Sequence, residues 1–227
     1  MSDDATKTPK RSRDSISNTL IVAIGVSLVC SVLVASAAIL LKPRQLQNEE
    51  EFRQRIILDV AGLYAPGADI ASLYASIEER TTELASGEQA PVYLVMDGSR
   101  IEQVILPIEG AGLWSTMYGY LAVENDGNTV RGLRFYSHGE TPGLGDQVDK
   151  PAWREQWQGK KLYGPDGEPQ IEVVKGPARD DSDYQIDGLA GATLTGRGVS
   201  IFVRRWIGEE GYGPYLKALG QEESRKL

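Results

Sequence analysis

The sequence predicts an α+β fold in which a single N-terminal transmembrane helix precedes a domain with a mainly antiparallel sheet and flanking helices. Three observations support this prediction. The run Thr19–Leu41 carries no charge and matches the roughly 20 apolar residues that span a bilayer core. Strand-like runs are joined by Asp-Gly pairs, which are typical of hairpin turns. Near the C-terminus, apolar residues recur at helical spacing after a glycine-rich run.

The composition excludes several classes of function. A chain of 227 residues suggests one domain with appendages. The net charge of −8 argues against binding to nucleic acid. Cys30 is the one cysteine and His138 the one histidine. An internal disulfide, a cysteine metal cluster and a histidine-rich metal site are therefore excluded.

Residues 1–18 are polar and are predicted to be a disordered tail, and residues 19–41 the transmembrane helix. A cleaved signal peptide is the main alternative, since Ala35-Ser36-Ala37 resembles a cleavage site. The apolar run continues to Leu41 and is long for a signal sequence, which favours an uncleaved anchor. A lipoprotein is disfavoured because no small residue precedes Cys30. Basic residues flank both ends evenly, so the positive-inside rule assigns no orientation.

Residues 42–90 are predicted to be a connecting helical region. Phe52, Ile56 and Val60 are spaced to share one helical face, which predicts a helix over Gln45–Leu63. A second helix is predicted over Asp69–Leu84, with Asp69 as its N-cap.

The globular domain is predicted to occupy residues 91–227. Val92–Met96 and Ile101–Ile108 should pair as a hairpin about Asp97-Gly98, and the runs on either side of Asp126-Gly127 should do the same. The remaining elements are predicted as a loop over Ser137–Gly145, a short helix over Pro151–Lys161, a strand over Ile171–Pro177 and a C-terminal tail that packs over the sheet. A lone histidine in a turn, here His138, is more often structural than catalytic.

The glycine- and threonine-rich run Asp187–Val199 precedes the last apolar segment. The residue types after it would suit a strand, but the spacing Val199, Phe202, Val203, Trp206 suits a helix, and Gly208 falls where that helix should end. The loop Gly191–Gly196 is therefore expected just before a helix N-terminus. Unpaired backbone N–H groups and the helix dipole favour an anion at such a position.

This run also resembles a known motif. Asp187-Gly188-Leu189-Ala190-Gly191-Ala192-Thr193 is similar to Asp-Gly-x-x-Gly-Ala-Thr, the flavinylation motif of the FMN-binding domains in sodium-pumping and related respiratory complexes. In that family the final threonine carries FMN through a phosphoester bond, and the matching residue is Thr193. The chain departs from the family at Ala190, where Ser or Thr is usual.

Further segments extend the resemblance over nearly the whole chain. They are Gly112–Tyr120, His138–Gly145 and Lys175-Gly176-Pro177. The Leu113-Trp114-Ser115 sequence and the Gly-Tyr-Gly-Pro-Tyr run at 211–215 favour the branch found in sodium-translocating NADH:quinone reductases. The RNF-type electron-transport complexes are the close alternative.

The resemblance implies a role for each matching residue. Thr193 would hold the FMN phosphate, and Lys175 would be a positive partner of the phosphate or ring. Backbone near the phosphate would come from Gly191, Ala192 and Leu194. The isoalloxazine ring would be lined by Trp114, Ser115, Glu140, Thr141 and Leu144.

The resemblance also implies a function as an electron-relay subunit. The complex would oxidise NADH, reduce ubiquinone and pump Na+, while this subunit would take electrons from a metal centre and pass them to a second covalent FMN on a membrane partner. Its partners would be the other subunits, a flavin transferase for maturation and the lipid of the bacterial inner membrane. The amino terminus would be cytoplasmic and the flavin domain periplasmic.

The chain alone is not expected to turn over NADH. No Gly-x-Gly-x-x-Gly follows a strand to bind a dinucleotide, and Thr19–Leu41 has no ionisable residue except Cys30 to form a sodium path. Two rival functions remain. One is a cofactor-free, membrane-anchored sensor or assembly module, and the other is a flavin domain that reduces a periplasmic acceptor by itself.

Overall fold

The computed structural model describes residues 16–224, and for the last two of these it describes only the backbone. Most of the predicted tail at residues 1–18 lies outside the described part. The chain divides into two compact units, residues 1–50 and residues 51–227.

The first described element is a helix of 45 residues, α1 (Ile16–Val60), which begins before the predicted span and ends well beyond it. Its apolar side chains between Leu20 and Leu41 are exposed. Among the described helices it is the one long and apolar enough to cross a membrane. The helix predicted over Gln45–Leu63 is not separate, because Pro43 lies inside α1 without ending it.

The end of α1 belongs to the second unit and forms part of its core. Ile56, Ile57 and Val60 are buried and pack with Tyr93 and Tyr120. Arg53 Nη1 donates a hydrogen bond to the hydroxyl of Tyr93 at 2.9 Å. The predicted apolar face is thus used, although Phe52 at its start is exposed.

The helix predicted over Asp69–Leu84 is wrong for most of its length. Asp69 caps as predicted, since its carboxylate accepts the backbone N–H of Ala71 at 3.1 Å. The helix that follows, α2, spans only Ile70–Tyr74, and the chain then forms a strand, β1 (Ile77–Glu83). Pairing with the next strand overrides the helical pattern, so the region at 42–90 is only partly helical and contributes a strand to the sheet.

Five antiparallel strands form the main sheet, in the order β1-β2-β3-β4-β5. The four after β1 are β2 (Gln89–Asp97), β3 (Arg100–Ala111), β4 (Thr116–Glu124) and β5 (Val130–Ser137). The predicted hairpins are confirmed, and Gly98 and Gly127 adopt the positive φ that their turns require. The predicted α+β class with an antiparallel sheet is therefore confirmed.

Helices cover both faces of this sheet. The end of α1 covers one face, and a larger core lies against the other. The larger core includes Trp157, Val199, Phe202 and Leu216, which come from the C-terminal half of the chain.

The C-terminal half supplies the remaining elements. They are a short helix α3 (Pro151–Arg154), a pair of two-residue parallel strands β6 (Glu172–Val173) and β7 (Gln185–Ile186), and helices α4 (Thr193–Ile207) and α5 (Gly213–Ser224). The helical interpretation of the last apolar segment is confirmed. However, α4 begins at Thr193, so the predicted loop at Gly191–Gly196 lies half inside the helix.

Candidate functional site

Thr193 occupies the first position of α4 and is exposed. The N-cap residue, Ala192, makes no side-chain capping hydrogen bond. Among the described residues, no acceptor meets the backbone N–H groups of Thr193, Leu194 or Thr195. The first turn therefore presents unpaired donors and the positive end of the helix dipole beside an exposed hydroxyl, which is an arrangement that binds an anion such as phosphate.

Thr195, two residues further on, has a different environment. Its side chain is fully buried, and its hydroxyl donates a hydrogen bond to Oε2 of Glu140. The two threonines of the motif region are thus distinguished by the fold. One hydroxyl is open to solvent, while the other is enclosed and already bonded.

Glu140 lies at the centre of the site, with 6% of its surface exposed. Its Oε1 accepts the backbone N–H groups of Leu113 at 2.8 Å and Trp114 at 3.2 Å. Because its Oε2 binds Thr195, the carboxylate joins three segments. These are the loop between β3 and β4, the loop after β5 and the first turn of α4.

Two glycines make room for this carboxylate. A Cβ atom at Gly145 would lie 2.7 Å from Oε2 of Glu140, and one at Gly112 would collide with Oε1. Any side chain at either position would push the carboxylate away from its donors. The glycines of both signature segments therefore have a packing role.

Ser115 and His138 support the same loops. The Ser115 hydroxyl accepts the backbone N–H of Gly139 at 2.6 Å. His138 Nε2 lies 2.8 Å from Asp149 Oδ2, and its Nδ1 accepts the N–H of Glu140 at 3.3 Å. His138 is thus bonded at both ring nitrogens, in agreement with the structural role predicted for it.

Four apolar side chains around these loops remain exposed. They are Leu113, Trp114, Leu144 and Leu194, and the indole of Trp114 is the most exposed at 70%. Leu144 approaches Gly191, where a Cβ atom would lie 2.7 Å from Leu144 Cδ2. Exposed apolar groups beside an anion-binding helix end suit a ligand with a flat apolar ring and a phosphate, so these residues fit FMN.

The Asp187-Gly188 pair of the motif holds the loop in place. Asp187 Oδ1 accepts the N–H of Ala178 at 2.7 Å, and its carbonyl accepts Trp153 Nε1 at 2.9 Å. Gly188 donates to the carbonyl of Gly176 at 2.7 Å and leaves no space for a Cβ atom. The pair acts as a bracket that aims the following turn and makes no contact with Thr193.

Lys175 and Thr141 are less closely tied to the site. Lys175 is exposed and lies in the segment bracketed to Asp187-Gly188, where the backbone of Val174 bonds Ile186 at 2.9 Å. Thr141 is exposed, and its carbonyl accepts the N–H of Leu144 at 3.1 Å. In the part of the chain that the structure describes, neither side chain has a hydrogen bond to Thr193 or Glu140.

The enclosed role of Thr195 was not predicted from the sequence. Its partner Glu140 is 55 residues away, so the pairing leaves no local pattern. The one available signal was the spacing of two threonines, which placed them on different sides of a helical first turn.

Comparisons with known proteins agree with this geometry. The FMN-binding domain family matches residues 112–208, which contain the three segments joined by Glu140. The NqrC subunit of the Na(+)-translocating NADH-quinone reductase of Vibrio parahaemolyticus is 41% identical, over 89% of this chain and 95% of the relative. The same subunit of Yersinia pestis is 42% identical, over 91% of this chain and 94% of the relative.

Two solved structures are similar to the chain. The crystal structure of Shewanella oneidensis NqrC matches with a TM-score of 0.67 and 30% identity, over 75% of this chain and 98% of that one. The crystal structure of the corresponding Na(+)-translocating NADH-quinone reductase subunit from Parabacteroides distasonis matches with a TM-score of 0.66 and 28% identity, over 78% and 96%.

Proposed function

The chain belongs to the NqrC family, whose members are subunits of the Na(+)-translocating NADH-quinone reductase, and we propose that it relays electrons on an FMN esterified to Thr193. As a member of this family it is an FMN-carrying subunit of a membrane oxidoreductase with several subunits, and α1 anchors it. The attachment, the orientation and the order of electron carriers are proposals.

The observation that supports the attachment is the contrast between two hydroxyls on α4. Thr193 is exposed at the first helical position, whereas Thr195 is buried and bonded to Glu140. A transferase can reach only the exposed hydroxyl. In the proposed step the Oγ of Thr193 loses its proton and bonds to phosphorus of a flavin nucleotide, and the nucleotide's leaving group departs.

Each part of the site has a task in holding the flavin. The N–H groups of the first turn of α4 bind the phosphate, as their lack of other acceptors suggests. The exposed side chains of Trp114, Leu113 and Leu144 flank the ring and exclude water from it. The bound FMN supplies the redox chemistry, and the protein sets its position and electrostatic environment.

The proposed electron path runs between partner subunits. Electrons arrive from a metal centre of the complex and leave to a second covalent FMN on a membrane partner, while NADH oxidation, ubiquinone reduction and the sodium path belong to other subunits. We propose that the amino terminus faces the cytoplasm and that the flavin domain lies in the periplasm, anchored in the lipid of the inner membrane. Maturation requires a flavin transferase.

A denaturing gel viewed under ultraviolet light tests the attachment, because covalent flavin survives denaturation. The full-length chain, Thr193→Val and Thr195→Val are each expressed with a flavin transferase. We expect a fluorescent band for the wild type and for folded Thr195→Val, and none for Thr193→Val. A fluorescent Thr193→Val band would move the attachment elsewhere. A dark wild-type band, beside a modified control protein, would overturn the proposal and favour the cofactor-free module.

A further inference from the structure

The carboxylate of Glu140 is buried without a basic partner. In the described residues its oxygens meet only the N–H groups of Leu113 and Trp114 and the hydroxyl of Thr195, and no lysine, arginine or histidine forms an ion pair with it. Three donors on two oxygens are the pattern of an ionised carboxylate, which only accepts hydrogen bonds. A negative charge is thus held in place by neutral groups.

This charge lies beneath the proposed flavin site. Thr195 follows Thr193 by two positions, which is about 3 Å of rise along α4. On its other side the carboxylate binds the backbone of Trp114, whose indole is exposed beside the site. The carboxylate therefore lies between the segment that carries the acceptor hydroxyl and the segment that flanks the ring.

A fixed charge at this position has a predictable electrostatic effect. Reduction adds negative charge to a flavin, and a nearby carboxylate in a poorly hydrated region opposes it more strongly than it would in water. From this geometry we infer that Glu140 is a positioning residue that also makes the flavin harder to reduce. This inference rests on the proposed attachment of FMN to Thr193.

A purely mechanical role for Glu140 predicts a different outcome, and two near-isosteric variants separate the roles. Glu140→Gln removes the charge but keeps the clasp, since the amide oxygen still accepts two N–H groups and the amide nitrogen can donate to the Thr195 oxygen. Thr195→Val keeps the charge but removes one donor from it. A charge that has lost a donor opposes reduction more strongly.

The test is a redox titration of the full-length, flavin-loaded chain and both variants at about pH 8, well above the ordinary carboxyl pKa. We expect Glu140→Gln to shift the midpoint potential in the positive direction. The ratio of reduced to oxidised flavin at a fixed potential should rise about tenfold, equivalent to about 30 mV for a two-electron couple. We expect Thr195→Val to shift the midpoint in the negative direction.

Opposite shifts in the two variants support the inference. An unchanged midpoint in folded, loaded Glu140→Gln overturns it, and so do positive shifts in both variants, which would indicate a loosened loop. If Glu140→Gln does not fold, the direction of the Thr195→Val shift decides by itself. Failure of the proposed function is recognised separately, because the wild-type protein would then carry no covalent flavin to titrate.

Discussion

Asp59, in the last turn of α1, lies 2.7 Å from Nη1 of Arg134 on β5. The same Oδ2 atom lies 3.1 Å from Nη2 of Arg154 on α3. The side chains are partly buried, with 25% of Asp59 and 29% of Arg134 exposed. One carboxylate therefore ties the end of the long helix to the sheet and to a second helix.

Removal of this carboxylate should destabilise the second unit. We expect Asp59→Ala to lower the free energy of unfolding by about 1–2 kcal/mol, because two guanidinium groups lose their partner in a partly screened site. Chemical denaturation of a fragment that begins at residue 51 measures the change. Glu78→Ala is the matched control: it breaks the exposed pair with Arg80, and stability should not change measurably. Equal effects of the two variants would contradict the prediction.

The position at which the chain is truncated should decide whether the second unit folds. A fragment of residues 51–227 keeps Ile56, Ile57 and Val60 on the sheet, whereas a fragment of residues 62–227 exposes the face that contains Tyr93 and Tyr120. Each lost core side chain is worth about 1.5–3 kcal/mol of burial. We expect cooperative thermal unfolding, followed by circular dichroism, for the longer fragment alone. Cooperative unfolding of the shorter fragment would show that the α1 end is dispensable.

Gly145→Ala should disturb the clasp more than Gly143→Ala. A Cβ atom at Gly145 meets Glu140, whereas one at Gly143 meets open space and suffers only the strain of its positive φ. Overpacking at Gly145 should lower the free energy of unfolding by about 1–3 kcal/mol and reduce the yield of covalent flavin. Strain at Gly143 should lower it by about 1 kcal/mol and leave the yield intact. In-gel flavin fluorescence per mole of folded protein compares them, and equal yields would count against the clasp.

Asp126 should make stability depend on pH. Burial raises the pKa of Asp126, but hydrogen bonds from Thr129 and Asn128 outweigh it and hold the pKa below its ordinary value. Its contribution is therefore complete above the ordinary carboxyl pKa of about 4 and fades as the pH falls through the lowered, folded-state pKa. The side chain is half exposed, so the expected contribution is about 1 kcal/mol or less.

Denaturation of the wild type and Asp126→Asn across this pH range tests the prediction. The difference in stability between them should shrink on the acidic side. A difference that grows as the pH falls would have the wrong sign.

Local chemistry explains which parts of the fold could be predicted. The hairpins at Gly98 and Gly127 follow from turn residues adjacent in sequence, and the spacing of Val199 and Phe202 identified α4. The strand at Ile77–Glu83 was missed because its pairing with β2 is a tertiary interaction that overrides a helical pattern.

The start of α4 was placed too late for a related reason. Gly196 and Gly198 weaken a helix on propensity alone, but close packing requires them there, since a Cβ atom at Gly196 would lie 3.0 Å from Val173 and one at Gly198 would lie 2.5 Å from the carbonyl of Ala111. At the candidate site, the flavin motif pointed to Thr193. The enclosure of Thr195 by Glu140 depends on residues that only the folded chain brings together.

The exposed position of Thr193 has a consequence for the life history of the protein. Its hydroxyl has no hydrogen bond within the described residues, while the bracket at Asp187 and the clasp at Glu140 are made by other groups. Folding and modification are therefore separable events. The chain can be synthesised, inserted and folded first, and the transferase then meets a finished surface. A population of the protein can hold a reserve of uncharged carriers whose share is set by the supply of flavin.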